Sequence, residues 1–160
     1  MSALIVRLDL SGFGTIEAIL ARLNPLQSET LLEALARLIR EQTVDRLISG
    51  GPAPDGSAWK PNAERRTPIL HRTGALARSI DYAVSGNAAI VGSGLVYAAI
   101  HQHGGAIKPR SAGALAFRIG NQFIMTRKVT MPARPYIGLS VEDRAELVAA
   151  AVGYLRRLFQ

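Results

Sequence analysis

Four places in this chain set polar residues at spacings that chemistry can use. His101, Gln102 and His103 put two imidazoles two positions apart. On a strand the pair would share a face, but on a helix positions i and i+2 point in different directions. No carboxylate follows until Glu142 and the chain has no cysteine, so nothing nearby completes a metal shell. His71 with Thr73 or Ser79 has the residue types of a hydrolase, yet neither a glycine-flanked serine elbow nor a supporting Asp pattern goes with them. Glu142, Asp143 and Glu146 gather carboxylates, which the start of a helix accounts for without catalysis. Gly104-Gly105 ahead of Lys108 lacks the order of a phosphate loop. These residues make no catalytic set, and no enzyme activity, metal or cofactor is expected.

Charge is the stronger feature. The chain has 160 residues and a formal net charge of +7. Between Lys60 and Val141 stand eleven Lys and Arg but only two acids, Glu64 and Asp81. The flanks are near neutral. A basic module of this kind is either a solvated face or a surface turned to a polyanion, nucleic acid or an acidic protein. Lys108, Arg110, Arg118, Arg127 and Lys128 are the residues expected to face nucleic acid in the second case.

The elements that must position these groups follow from periodicity. Leu4 to Leu10 alternates as a strand, and Ser11 to Gly14 is a turn. Ile16, Ile19, Leu20 and Leu23 recur at helical spacing up to Asn24-Pro25. A longer helix follows, with Ser28 as candidate cap and Gly50-Gly51 as stop. Leu31, Leu32, Leu35, Leu38, Ile39, Val44, Leu47 and Ile48 form its apolar stripe, and Arg37, Arg40, Glu41, Asp45 and Arg46 fall on other faces. Residues 50–68 make a long loop rich in Gly and Pro. Ala75 to Ile80 is a helical turn, Tyr82 to Val91 a hairpin, and Tyr97 to His101 a short helix. Residues 104–113 form a basic, flexible loop. Leu115–Ile119 and Gln122–Met125 pair around Gly120-Asn121, with Val129 and Met131 continuing the second strand. Pro132 and Pro135 impose an extended segment. Ser140 and Asp143 cap a last helix with Leu147, Val148, Ala151, Val152, Leu155 and Phe159 inward. The order predicts an α+β fold: an antiparallel sheet of hairpins packed against N-terminal and C-terminal helices. Residues 1–160 are expected to form one domain, with a long loop at 50–68 and a basic hairpin region at 105–131. The N-terminus has no signal-peptide pattern, and no stretch approaches the roughly 20 apolar residues of a membrane span.

Four loop signatures stand in order along this framework: Pro54-Asp55-Gly56-Ser57-Ala58-Trp59, Thr73-Gly74-Ala75-Leu76-Ala77-Arg78-Ser79-Ile80, Tyr97-Ala98-Ala99-Ile100-His101-Gln102-His103-Gly104-Gly105 and Pro132-Ala133-Arg134-Pro135-Tyr136-Ile137-Gly138. Together they resemble the phage virion-morphogenesis family, which includes tail-completion proteins. The resemblance implies a structural protein that joins head to tail or completes the tail. It implies a ring, a hexamer in the first instance, with contacts to other neck or tail proteins and non-specific contact with packaged DNA. Such a protein sits at the head–tail junction or tail end of the virion, and in the host cytoplasm during assembly. The signature residues Trp59, Tyr97, Gln102, Arg134 and Tyr136 are then candidates for the interface. Trp59 has a second reading as a lid on the core, and Arg134 as a holder of loop carbonyls. The alternative function is a stand-alone DNA-binding protein that reads no sequence.

Overall fold

The computed structural model describes residues 4–8, 13–86 and 88–160. Asn24-Pro25 separates two helices, α1 (Gly14–Leu20) and α2 (Pro25–Ser49). Proline lacks an N–H and has a fixed φ, so it halts a preceding helix yet suits the first turn of the next. The Asn24 side chain accepts from the Gln27 backbone, and the Gln27 side chain accepts from the Asn24 N–H. This capping box, not Ser28, begins α2. At the other end Gly50 turns left-handed at φ 85° and donates its N–H to the Arg46 carbonyl.

Strand β1 (Leu4–Leu8), the turn α3 (Ala75–Arg78) and strands β2 (Ile80–Ser85) and β3 (Ala88–Ser93) come next. The sheet is antiparallel in the order β1-β3-β2, with Val91 opposite both Val6 and Tyr82. The hairpin foreseen between Tyr82 and Val91 is therefore present. Asn87 of its turn, residues 9–10 of the strand foreseen from Leu4 to Leu10, and residues 11–12 of the turn foreseen after it lie outside the described residues. Helix α2 packs on β2 and β3 and against a last helix, α5 (Val141–Leu158). Between them lie Ile16, Leu31, Leu32, Leu35, Ile39, Leu47, Ile80, Val91 and Leu147, all at most 1% exposed. Burying each such side chain contributes about 1.5–3 kcal/mol.

The second half carries short elements: α4 (Ala98–His103), β4 (Gly105–Ile107), β5 (Leu115–Ile119), β6 (Gln122–Thr126) and β7 (Val129–Met131). The fold is α+β, with antiparallel pairing throughout, helices at both ends, and the strands divided into one three-stranded sheet and two two-stranded ribbons. The β5–β6 hairpin has the expected register, Phe117 opposite Ile124. Val129 and Met131 do not continue it. They pair with Ile107 and Gly105, inside what the sequence suggested was a loop. The break comes at Thr126, whose hydroxyl donates to the Lys128 carbonyl and accepts from the Lys128 N–H, turning the chain between the strands.

Three burial expectations are corrected. Ile48 is 47% exposed, while Arg46 is only 9% exposed. The buried stripe of α2 runs through Leu32, Ala36, Ile39, Thr43 and Arg46–Leu47, which is the regular three-and-four spacing of a helix face. Arg46 therefore occupies a core-facing position that a purely apolar count overlooks. Leu38 and Val44 flank the stripe and are half-buried. Phe159 lies past the end of α5 and is 77% exposed. No helix among the described residues is long and apolar enough to cross a membrane.

Candidate interaction surface

Residues 132–138 adopt neither helix nor strand, and the prolines leave their polar backbone to be satisfied by other parts of the chain. Helix α4 supplies one side. The Arg134 N–H donates to the His101 carbonyl at 2.8 Å. The Gln102 side-chain oxygen accepts from the N–H groups of Tyr136 and Ile137 at 2.9 and 3.0 Å, and its amide donates to the Ile137 carbonyl at 2.9 Å. The Tyr136 hydroxyl donates to the Ala98 carbonyl. The approach is close enough that a Cβ on Gly104, which holds φ 70°, would stand 2.6 Å from the Ala133 nitrogen. Only glycine fits there.

The long loop supplies another side. The Trp59 indole donates to the Pro135 carbonyl at 2.8 Å, and the Arg134 guanidinium donates to the carbonyls of Lys60 and Pro61 at 2.7 and 2.8 Å. Helix α2 closes the arrangement. Arg46 donates to the carbonyls of Tyr136 and Gly138 and forms an ion pair with Asp143, whose carboxylate also accepts from the Ser140 N–H that begins α5. The capping box foreseen at Ser140 and Asp143 is formed, with the second Asp143 role added to it.

Four of the five interface candidates thus work inside the subunit. Trp59, Gln102, Arg134 and Tyr136 are 6, 8, 3 and 0% exposed. Trp59 and Arg134 take the alternative roles, lid and carbonyl holder. Tyr97 differs, being 42% exposed with its ring edge-on to His101. Burial, reinforced by Tyr97, pushes the Tyr136 phenol well above its ordinary range, so it stays a neutral donor. Burial first, and the Arg134 charge second, hold the His101 imidazole below its usual value, and its Nδ1 is buried without a partner.

The groups that suggested chemistry are apart. His101 and His103 sit on α4, where His103 is exposed and His101 is half-buried at the cleft. Among the described residues no group of three or more His, Cys, Asp or Glu could hold a metal ion. The Ser79 hydroxyl is engaged with the Leu76 carbonyl and the Ser93 hydroxyl, not with His71.

What remains open is a cleft of about 1000 Å³ beside the 132–138 segment. Leu70, Tyr97, Phe117 and Met131 line it, with Arg72 and Arg118 among the basic residues around it. The tip of the β5–β6 hairpin is tied across by the Gly120 N–H to Glu64, itself paired with Arg66. Lys108, Arg110, Arg118, Arg127 and Lys128 are all exposed, and none joins an ion pair among the described residues. Arg46 and Glu64 were missed by sequence reasoning. Arg46 betrayed itself only by interrupting a helical stripe, and Glu64 only as a lone acid in a basic module.

The chain matches the model of the phage virion morphogenesis family over residues 13–156. It is 35% identical over 103 residues to the Mu-like prophage FluMu G protein 2 of Haemophilus influenzae, covering 64% of this chain and 63% of that protein. It is 38% identical over 84 residues to the putative capsid assembly protein G of Escherichia phage Mu, covering 51% of this chain and 43% of that protein. No solved structure matches it.

Proposed function

Because this chain belongs to the phage virion morphogenesis family, we propose that it is a structural protein of the virion, joining head to tail or completing the tail as one subunit of a ring. The observation that supports this reading is where the signature residues go. Trp59, Gln102, Arg134 and Tyr136 lock one extended segment, and none of them presents a reactive group to solvent. They make a rigid block out of loops that sequence alone would leave loose. A rigid block with basic projections suits assembly. The name of the phage Mu relative refers to the capsid, and the family description refers to virion morphogenesis at large. Head–tail joining is the place where capsid and tail meet, so it fits both. The two relatives are each spanned over less than two thirds of their length.

Tyr97 and the rim of the cleft are the remaining interface candidates, since they are exposed. The test is the mass of the purified protein in solution across a range of concentrations. A closed oligomer, a hexamer in the first instance, is expected. A monomer at every concentration counts against the ring.

One observation favours the second reading, a DNA-contacting protein without sequence preference: five exposed bases without carboxylate partners among the described residues. Arg134, the sixth base between Lys108 and Arg134, is withdrawn into the interior. If all five faced phosphate, log affinity would fall with log salt at a slope of about −4.5. Titration with random duplex DNA at two salt concentrations measures it.

A further inference from the structure

Two surfaces of this subunit have apolar centres and opposite charge. The first is the outer face of the β5–β6 hairpin. Its register sets Ala116 opposite Met125 and Arg118 opposite Phe123. Alternation along each strand puts these four side chains on one face. Phe123 and Met125 are 62 and 67% exposed. The other face of the hairpin carries Phe117 and Ile119 toward the cleft, whose rim Arg118 also reaches, while Phe123 and Met125 on the outer face are left exposed among the described residues. Arg127 and Lys128 follow at its base, exposed.

The second is a groove of about 560 Å³ between the end of α2, the loop at 51–56 and the start of α5. Val141 stands on it, 78% exposed. Asp45, Asp55 and Glu142 surround it, all exposed. Hydrogen bonds from Ser57 hold the Asp55 carboxyl below its ordinary range, so it is charged at neutral pH. The one base in the lining, Arg46, has its charge matched by Asp143 and its other donors on carbonyls. Among the described residues the groove therefore presents unpaired negative charge around an apolar residue.

We infer that the outer hairpin face of one copy docks in this groove of the next, with Phe123 and Met125 against Val141 and with Arg118, Arg127 and Lys128 toward Asp45, Asp55 and Glu142. The two surfaces lie on different elements and share no residue. A twofold contact centred on the hairpin face would set base on base, whereas hairpin into groove sets base on acid. Such a contact is heterologous, and repetition makes a ring when the rotation closes. This inference rests on the ring reading above and specifies its contact. Duplex DNA would engage the bases but leave Phe123 and Met125 uncovered, which is why a protein occupant is favoured.

The native chain has no cysteine, so introduced pairs report cleanly. The double variant Met125→Cys/Val141→Cys, both at exposed positions, should give a ladder of disulfide-linked multimers on a non-reducing gel. Met125→Cys paired with Ala149→Cys, on the exposed side of α5, should not. Arg127→Glu should shift the oligomer toward monomer, and adding Glu142→Lys to the same chain should restore it. A native oligomer that gives no ladder overturns this contact and leaves the ring. A monomer with no ladder at any concentration overturns both. A dimer from Met125→Cys alone would show a twofold contact and overturn the hairpin–groove pairing. Loss of duplex binding by Arg127→Glu with no change in mass would assign the hairpin to DNA instead.

Discussion

The Arg46 guanidinium and the Asp143 carboxylate meet across 97 residues of sequence, with side chains 8 and 13% exposed. Their pairing joins the last turn of α2 to the first turn of α5. Arg46→Ala leaves Asp143 without its partner and strips two carbonyls of their donors. Removing one member of a buried pair costs roughly 3–5 kcal/mol. Urea denaturation should show that loss, and a cost under about 1 kcal/mol would mean the pair is solvated. Asp143→Ala also removes the N3 half of the capping box and leaves the Ser140 N–H without its acceptor.

Trp59 is a folding residue in this structure. Its buried ring and its bond to the Pro135 carbonyl tie the long loop to the 132–138 segment. Trp59→Ala should cost roughly 3–5 kcal/mol in the isolated subunit. Trp59→Phe should cost less, keeping most of the packing and losing the hydrogen bond. Thermal unfolding of the three proteins orders them. An unchanged midpoint for Trp59→Ala would return Trp59 to the interface.

Leu35 and Leu38 lie one turn apart on α2 but differ in burial. Leu35 is fully buried and Leu38 partly so. Leu35→Ala should cost roughly 2–5 kcal/mol, and Leu38→Ala distinctly less. Denaturation midpoints in the reverse order would shift the register of the helix.

His101 gives the fold a pH dependence. Burial and Arg134 depress its folded pKa, so the unfolded chain takes up the proton first as pH falls. The contribution is intact above the ordinary imidazole value of 6.5 and is lost progressively below it. His101→Phe should flatten the melting temperature across that window and cost little at neutral pH, since Nδ1 has no partner to lose. A slope unchanged by the substitution would place the acid sensitivity elsewhere.

Local features of this fold were legible in the sequence, and long-range ones were not. Ser140 and Asp143 are three residues apart, and their capping box follows from helix chemistry alone. The 115–126 hairpin follows from alternation around Gly120-Asn121. Asn24-Pro25 was legible as a stop but is equally a start, because proline is compatible with both. Strands β4 and β7 have three residues each, too few to show a period. The interior of the candidate surface was hidden for a related reason. Trp59, Gln102 and Arg134 are polar-tipped residues in loops and a short helix, a pattern that suits an exposed interface as well as a buried one. What decides between them is the carbonyls of Lys60, Pro61, Pro135 and Ile137, which no side-chain pattern displays.

The order in which the 132–138 segment meets its partners has a bearing on synthesis. Arg46, Trp59, Lys60, Pro61 and Gln102 all precede it, by 34 to 92 residues for the bonds they make. Each contact closes a loop whose entropic cost grows only slowly with length. On the ribosome, the receiving groups emerge first and wait, and Asp143 arrives only afterwards to fix Arg46. A nascent chain stalled before residue 132 holds the Trp59 indole, the Gln102 amide and the Arg46 guanidinium with none of their native acceptors. Those donors meet their acceptors only once Pro135, Tyr136, Ile137 and Asp143 have joined the fold.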